Sequence, residues 1–198
     1  MKITIVRHGE TIENKEKILQ GHLPGRLTDL GRKQAKRLAE RLKDEKIDII
    51  FSSDLARASD TTKEIAKFHP KVPIYFVKEL RERYHGTLEG KRREDIIGWE
   101  KEENRDKIIL EAGSEKIEDF VKRAGNFKSE MFKGLQDKDI LWVTHGGLIS
   151  ALNSNISGEE WLNIHRTNPP KNTSVTIFEF NDDKEPKLIL MNCIKHLN

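Results

Sequence analysis

The 198-residue sequence lacks several features that mark particular classes of protein. Its single cysteine, Cys193, cannot form a disulfide within the chain, which suits a reducing compartment. After Lys2 only residues 3–6 are largely apolar, which is far too short for the core of a signal peptide, and no later run approaches the length of a membrane span. We therefore expect a soluble, cytoplasmic protein without a membrane partner.

Metal and nucleotide motifs are also missing. The sequence has no His-x-His, HExxH or CxxC pattern, and no Gly-Lys-Ser/Thr follows the glycines of "THGG" as it would in a Walker loop. We expect neither a metal nor a cofactor. The 36 basic and 33 acidic side chains are interspersed, and the one tight basic cluster, residues 91–93, is followed directly by two acids. A nucleic-acid groove would show a wider basic stripe, so no nucleic-acid partner is expected.

Short segments rich in β-branched and aromatic residues predict six strands. These are residues 2–6, 47–52, 72–77, 140–144, 174–180 and 187–191. Helical patterns lie between most of them, and no repeat, linker or low-complexity tract divides the chain. The pattern predicts one domain over residues 1–198, an α/β three-layer sandwich with a largely parallel central sheet flanked by helices.

Four helices are predicted with some detail. Thr28 can cap the first of them, whose apolar positions are Leu30, Ala35, Leu38, Ala39 and Leu42. Ser53 or Asp54 can cap the second, which must end before Pro70. The other two cover residues 114 to about 135 and 147 to about 155, and residues 99–112 read as a charged, partly helical excursion.

Three of the predicted strand ends carry unusual residues. The first strand ends in Arg7-His8-Gly9, the second leads through "FSSDLAR" to Arg57, and the fourth ends in "VTHGG", which contains His145. Ligands bind beyond the carboxyl ends of the strands in an open α/β sheet, so these residues should share one crevice. Arg57 opposes the dipole of its helix, which a nearby anion would explain. Two histidines and two arginines predict a site for a dianion such as phosphate, and adjacent guanidiniums disfavour the rival zinc site.

Five segments, in order, resemble the motifs of the histidine phosphatase superfamily, which has the phosphoglycerate mutase-like fold. They are "VRHGET", "QGHLPGRLTDLGRKQA", "SSDLARASDTT", "LRERYHGTLEGK" and "VTHGG". The match spans residue 1 to about 150, and residues 99–138 carry no recognisable signature.

The resemblance implies a role for each matching residue. His8 would be the nucleophile that becomes phosphorylated, Arg7, Arg57 and His145 would hold the phosphoryl group, and Glu82 would protonate the leaving oxygen. Glu79 and Glu89 are the alternative acids. Substrate contacts are expected at Asn14, Gln20, Gly21, His85 and Gly146. His22 and His85 are each also compatible with a surface position.

Chemistry explains why these residue types are needed. A neutral imidazole can attack phosphorus if its other nitrogen keeps a proton that it donates to a carbonyl or carboxylate. Arg7 and Arg57 would keep His8 neutral and neutralise charge on the transferring group, which is the part that magnesium plays in other sites. A phosphate dianion would raise the pKa of Glu82, so that this acid is ready to donate near neutral pH.

The same centre supports hydrolysis or phosphoryl isomerisation. Family mutases carry a longer segment with a paired arginine, whereas "GWEKEENRDKIILEAG" is largely acidic with only Arg105, and "ERYHG" replaces their "ERHYG". We therefore expect a metal-independent phosphomonoesterase that acts on small phosphorylated metabolites such as sugar phosphates, as a monomer or homodimer. The alternatives are a phosphoglycerate mutase and a non-catalytic phosphate-binding module. One of Lys91, Arg92 and Arg93 could bind a second anionic group.

Overall fold

The computed structural model describes residues 1–158, 169–180 and 186–198, except for the side chain of residue 102. Within them, six strands form one sheet in the order β3-β2-β4-β1-β5-β6. Their bounds are β1 Lys2–Arg7, β2 Ile49–Ser53, β3 Ile74–Val77, β4 Asp139–Thr144, β5 Val175–Phe180 and β6 Pro186–Cys193. The first four strands along this order are mutually parallel, and β5 and β6 add antiparallel neighbours. The predicted, largely parallel α/β sheet is confirmed, with strand ends within two residues of the predicted ones.

The helices lie between the strands, and all of them except the short α1 are expected from the sequence. They are α1 Ile12–Lys15, α2 Asp29–Leu42, α3 Ala56–Ala66, α4 Glu102–Glu111, α5 Ile117–Gly134 and α6 Gly146–Ser157. None of the helices in the described ranges is long and apolar enough to cross a lipid bilayer.

The two predicted caps have different outcomes. Thr28 caps α2, since its hydroxyl oxygen accepts the backbone N–H of Gly31 at 2.9 Å. The cap predicted for α3 is wrong, because that helix begins after Leu55 without a side-chain cap. The Asp54 carboxylate instead accepts two hydrogen bonds from the Arg81 guanidinium, at 2.6 and 2.5 Å.

Side chains of the strands point alternately to the two faces of the sheet, and each face has its own hydrophobic core. The sheet and the helices on its two faces are the three layers. Ile3, Ile5 and Trp142 pack with Phe120 and Leu148 of α5 and α6 on one face. The opposite face buries Val6, Leu141 and Val143 against Leu38 of α2 and Ala58 of α3. Leu30 belongs to the apolar pattern of α2 but is 53% exposed.

A third and smaller core organises the charged excursion. Leu19, Leu88, Ile96 and Ile109 are buried together, and Trp99 packs against them. This cluster joins α4 to the loops that follow β1 and β3, so α4 lies beside the crevice at the strand ends. The predicted partly helical character of residues 99–112 is confirmed.

Candidate active site

Parallel pairing of β1 with β4 brings two of the predicted site residues together. Arg7 is the register partner of Thr144, and the backbone N–H of His8 donates to the Thr144 carbonyl at 3.0 Å. The rings of His8 and His145, each the residue after its strand, have centroids 5.1 Å apart. We call Arg7, His8, Arg57 and His145 the strand-end cluster.

A cleft of about 770 Å³ opens over this cluster. Of the ten predicted site residues, eight line it: Arg7, His8, Asn14, Gln20, Gly21, Arg57, Glu82 and His85. His145 and Gly146 do not line the cleft, although the His145 ring lies beside that of His8. The structure therefore brings the motif residues of five separate segments to one place.

His8 is held in the tautomer that the predicted chemistry needs. Its side chain is 2% exposed, and Nδ1 lies 2.7 Å from the carbonyl oxygen of Gly9. Because a carbonyl only accepts, Nδ1 carries the proton and Nε2 keeps its lone pair. Burial, followed by the charges of Arg57 and Arg7, lowers the pKa of His8 well below its ordinary value. His8 is therefore neutral.

The glycine after His8 is required by a close backbone contact. A Cβ atom on Gly9 would lie 2.5 Å from the carbonyl oxygen of Gly31 in the first turn of α2, and one on Gly31 would lie 2.0 Å from the Glu10 carbonyl oxygen. The chain after β1 therefore packs so closely against the first turn of α2 that neither Gly9 nor Gly31 has room for a Cβ atom. The N–H of Gly9 also donates to the hydroxyl of Thr61 on α3 at 3.1 Å.

Arg57 is a scaffold as well as a positive charge. Its Nη2 donates to the Gly21 carbonyl at 2.8 Å, Nη1 donates to the carbonyls of Leu23 and Pro24, and Nε donates to His145. These bonds hold residues 21–24 and leave one of its five N–H groups for a ligand. Burial lowers its pKa to about 10, so the guanidinium stays charged at neutral pH.

Arg7 has more donors left over than Arg57. Its Nη1 donates to the Pro170 carbonyl at 2.6 Å, whereas its buried Nε finds no partner among the described residues. The backbone of Gly146 lies against the guanidinium, since a Cβ there would be 3.4 Å from Arg7 Cζ. An unsatisfied buried donor on a charged group at the cleft favours an anionic ligand.

His145 is fully buried, and both of its ring nitrogens are bonded within the protein. Arg57 Nε donates to Nδ1 at 3.1 Å, so the proton of the neutral ring lies on Nε2, which donates to the Ser53 hydroxyl at 2.8 Å. Burial first, and then the charge of Arg57, lowers its pKa well below the ordinary value. In this geometry His145 orients Arg57, and its direct contact with a phosphoryl group stays a prediction.

Glu82 bridges the cleft to the start of α6. One carboxylate oxygen accepts the backbone N–H of Gly147 and the other accepts that of Arg83, both at 2.9 Å. Burial alone would raise the pKa of Glu82, but these two N–H donors and the nearby charge of Arg57 outweigh it, so the pKa is lowered. The expected upward shift therefore depends on the negative charge of a bound phosphate.

The two alternative acids, Glu79 and Glu89, differ from Glu82 in their hydrogen bonds and in their exposure. One carboxylate oxygen of Glu89 accepts the backbone N–H groups of His22 and His85, at 2.8 and 3.0 Å, whereas Glu79 is exposed. The ring of His22 donates through Nε2 to the Glu82 carbonyl at 2.9 Å. These contacts favour Glu82 as the acid.

Asn14 and Gln20 line the cleft, and their contact with substrate stays a prediction. The Asn14 side-chain oxygen accepts from the Thr11 N–H and from the Asn172 amide, and the Gln20 side-chain oxygen accepts from the Thr11 hydroxyl. His85 lines the cleft, its buried Nδ1 has no partner among the described residues, and burial lowers its pKa to about 4. It therefore faces the cleft as a neutral ring.

A second group of cleft residues is absent from the predicted set. Arg83, Arg93, Trp99, Arg105 and Ile109 also line the cleft, and we call them the distal wall. Arg93 is one of three basic residues considered for a second anion, and the other two, Lys91 and Arg92, lie outside the cleft. Arg83 lies within the motif "LRERYHGTLEGK", directly after Glu82, but sequence reasoning gave it no role.

Sequence reasoning also missed the residue that holds the Glu82 segment. Arg123 of α5 donates through Nη1 to the carbonyls of Glu79 and Arg81, at 2.7 and 2.9 Å, and through Nη2 to that of Glu82, at 3.3 Å. A two-point ion pair with Glu115, at 2.9 Å for each bond, fixes the guanidinium. We call this arrangement the Arg123 clasp.

Within residues 1–158, 169–180 and 186–198, no three or more His, Cys, Asp or Glu side chains are grouped so that they could hold a metal ion.

Comparison with known proteins identifies the class. A family model for the histidine phosphatase superfamily (branch 1) matches residues 3–194. Phosphoglycerate mutase-like protein 4 of Arabidopsis thaliana is 32% identical over 203 residues, which cover 99% of this chain and 86% of that protein. Broad-specificity phosphatase YOR283W of Saccharomyces cerevisiae is 33% identical, with 96% and 84% covered.

Solved structures agree with this assignment. Bacillus stearothermophilus YhfR superposes with a TM-score of 0.90 at 26% identity, over 100% of this chain and 99% of that one. The chain belongs to the histidine phosphatase superfamily.

Proposed function

We propose that this protein is a phosphatase that hydrolyses small phosphomonoesters through a phosphohistidine on His8. The observation that carries the proposal is the state of His8, which is neutral, buried at the cleft and bonded through Nδ1–H to Gly9. Its Nε2 is thereby the available nucleophile, beside the charged side chains of Arg7 and Arg57.

Transfer to the enzyme begins with in-line attack of His8 Nε2 on phosphorus. The N–P bond forms as the P–O ester bond breaks, and the electron pair passes to the leaving oxygen. Glu82 donates a proton to that oxygen, so an alcohol departs rather than an alkoxide. The substrate dianion raises the pKa of Glu82 when it binds, which reverses the downward shift found here.

In hydrolysis of the phosphohistidine, Glu82 acts as a base instead of an acid. The Glu82 carboxylate takes a proton from water, the water oxygen attacks phosphorus, and the N–P bond breaks to return the lone pair to Nε2. Throughout, Arg7 and Arg57 offset charge on the equatorial oxygens, and removal of one such donor costs about 10²–10³ in rate in related chemistry. The mechanism uses no metal ion.

The substrate class follows from the cleft. Its volume of about 770 Å³ suits a small phosphorylated metabolite, including a sugar phosphate, rather than a folded macromolecule. The broad-specificity phosphatase among the relatives supports hydrolysis as the outcome.

The test measures hydrolysis of nitrophenyl phosphate by the wild-type protein, with and without a chelator, and by His8→Ala. We expect activity that the chelator does not change and that His8→Ala lowers by at least about 10⁴-fold. His196→Ala is the matched control, because that histidine lies outside the cleft. Rapid quenching with labelled substrate should trap label on His8, and label on another side chain would refute the mechanism.

Two further results would favour the alternative functions. Rapid isomerisation of 3-phosphoglycerate in the presence of a bisphosphoglycerate primer, without release of phosphate, would indicate a mutase. Binding of phosphate without turnover of any ester would indicate a non-catalytic binding module.

A further inference from the structure

We propose that Asn172 is a positioning residue for the reaction: its side-chain amide orients the amide of Asn14, so that Asn14 presents two N–H donors to the phosphoryl group beside His8. The inference rests on the proposed function and adds a residue to which the sequence analysis gave no role. Asn172 itself does not line the cleft, so it would act through Asn14 and not by touching the substrate.

Backbone groups fix the orientation of both side-chain amides. The backbone N–H of Thr11 donates to the Asn14 side chain at 3.3 Å, and an N–H can only donate, so the atom that it contacts is the oxygen Oδ1. The carbonyl oxygen of His8 accepts from Asn172 at 3.1 Å, and a carbonyl can only accept, so the atom there is the nitrogen Nδ2. The second hydrogen of Asn172 Nδ2 is donated to Asn14 Oδ1, at 3.2 Å. Every contact of this arrangement therefore joins a donor to an acceptor.

The arrangement leaves the nitrogen of the Asn14 amide for a ligand. Both contacts of that amide use its oxygen, and within the described residues its nitrogen forms no hydrogen bond. Asn14 lines the same cleft as Arg7 and His8. The opposite orientation of the amide would lose the bonds from Thr11 and Asn172 and would present an oxygen, which repels a phosphate dianion. Asn172 thus favours the orientation of Asn14 that can bind an anion.

A strained residue fixes the backbone next to Asn172. Thr173 is fully buried and has a φ of 55°, a left-handed conformation that β-branched residues seldom adopt. In this conformation its N–H donates to the carbonyls of Arg7 and His8, at 3.1 and 3.2 Å. Its hydroxyl donates to the Asn172 carbonyl at 2.8 Å. Strain of this kind persists only where the surroundings hold the residue, and it clusters at active sites.

The same turn, residues 170–174, also holds Arg7. The Arg7 guanidinium donates through Nη1 to the Pro170 carbonyl at 2.6 Å, and the backbone N–H of Arg7 donates to the Ser174 carbonyl at 3.3 Å. These contacts arise because the turn leads directly into β5, which pairs with β1. One turn therefore sets the spacing between the nucleophile and two of the donors that are predicted to hold the phosphoryl group.

Loss of the Asn172 amide should affect Asn14 more than His8. The His8 carbonyl would keep the N–H of Thr173 at 3.2 Å, and the backbone N–H of His8 would keep its bond to Thr144. Asn14 Oδ1 would keep only the longer bond from Thr11, at 3.3 Å. The effect of a substitution at position 172 should therefore pass through Asn14.

The experiment is a double-mutant cycle of Asn14→Ala and Asn172→Ala, measured by the inhibition constant of inorganic phosphate and by kcat/KM for nitrophenyl phosphate. Asn14→Ala removes donors to a charged group, so phosphate affinity and kcat/KM should each fall by about 10- to 100-fold. Asn172→Ala should lower both by about tenfold in the wild-type protein, but by less than about twofold when Asn14 is already alanine. Asn126→Ala makes the same change at an exposed position of α5 outside the cleft, and as the matched control it should alter neither value.

A second measurement does not depend on the folding of the Asn172 variant. The side-chain amide signals of Asn14 in a heteronuclear NMR spectrum of the wild-type protein can be assigned by their loss in Asn14→Ala. Addition of inorganic phosphate should shift these signals, because the proposal makes this amide a donor to the phosphate.

Two results would overturn the proposal. One is a loss from Asn172→Ala that is absent, or that is equal in the two backgrounds, since a purely structural role would make the losses additive. The other is a pair of Asn14 amide signals that phosphate does not shift. Failure of the proposed function looks different, since nitrophenyl phosphate would then not be hydrolysed, or His8→Ala would still hydrolyse it.

Discussion

The two sides of the cleft are built in different ways. Residues of the strand-end cluster follow adjacent parallel strands and are tied by hydrogen bonds to backbone or to one another, as His8 is to Gly9 and His145 is to Arg57. The distal wall comes from loops and α4, which pack on a small core of their own. Among the described residues, no carboxylate lies within 4.0 Å of the guanidinium nitrogens of its arginines. The contrast indicates that the main sheet positions the strand-end cluster, while a separate and smaller unit forms another part of the cleft.

The strand-end cluster and the distal wall also differ in how deeply their side chains are buried. His8, Arg57 and His145 are almost fully buried, whereas Arg93 is exposed and Arg105 is half-buried. Buried, preorganised donors suit the fixed geometry of a transition state. Partly exposed arginines can adjust their position to substrates of different length, but each contributes less binding free energy than a buried one. Variants on the two sides should therefore have effects of different kind as well as size.

The largest of the following effects should come from Arg7→Gln. In the proposed mechanism Arg7 binds the phosphoryl group of every substrate, so we expect kcat to fall by about 10²–10³ for propyl phosphate and for propane-1,3-diol bisphosphate alike. Steady-state kinetics on both esters tests this, with circular dichroism to confirm folding. A loss restricted to the bisphosphate would instead mean that Arg7 binds the group that stays on the product, and the division between the two sides would fail.

The next effect should depend on the leaving group. Glu82→Gln removes the proton donor, so kcat for propyl phosphate should fall by about 10²–10³, whereas nitrophenyl phosphate, whose leaving group needs little protonation, should lose about tenfold or less. Gly147→Ala provides a second route to the same result, because its Cβ would lie 2.4 Å from a Glu82 carboxylate oxygen. Equal losses on both esters would exclude Glu82 as the acid.

The motifs that could be read from the sequence share a physical property. His8, Arg57 and His145 follow strands at positions where a buried ring or charge is unusual, and parallel pairing alone brings such residues together. The positions of the strands could also be predicted from the sequence, because short runs of β-branched residues favour strands. The cap of α3 was mistaken because Asp54 pairs with Arg81, which is 27 positions away in sequence.

The distal wall and the Arg123 clasp could not be found in the same way. Each depends on contacts between distant segments, such as Arg83 with Glu115 and Arg123 with Glu79. In a chain with 36 basic residues, local pattern does not separate an arginine that lines a cleft from one on the surface. The direction of the Glu82 pKa was also inaccessible, since it depends on the backbone N–H of Gly147 in α6.

A smaller effect is expected from the Arg123 clasp, which positions Glu82 without touching the cleft. Arg123→Met should lower kcat for propyl phosphate by about tenfold and leave nitrophenyl phosphate turnover nearly unchanged. Arg123→Lys should restore part of the loss, and Lys122→Gln, an exposed neighbour on α5, is the control. A purely structural role would lower both activities equally, with KM and kcat changing together.

The smallest effect concerns stability. It distinguishes the two sides of the cleft by whether a residue on that side changes its protonation between the folded and unfolded states. Burial and the charges of Arg57 and Arg7 lower the pKa of His8 in the folded state, whereas in the unfolded chain it titrates near 6.5. Below pH 6.5 the unfolded chain therefore binds a proton that the folded protein does not, and the free energy of unfolding falls as the pH falls.

The variant His8→Ala should accordingly flatten the pH dependence by about one proton, or about 1.4 kcal/mol per pH unit, between pH 6 and pH 5. Urea unfolding at a series of pH values measures that slope. Arg93→Gln should leave the slope as in the wild-type protein, because its charge does not titrate in this range. Parallel curves for His8→Ala and the wild type would mean that His8 binds a proton in the folded protein as readily as in the unfolded chain, and the lowered pKa assigned to it would be wrong.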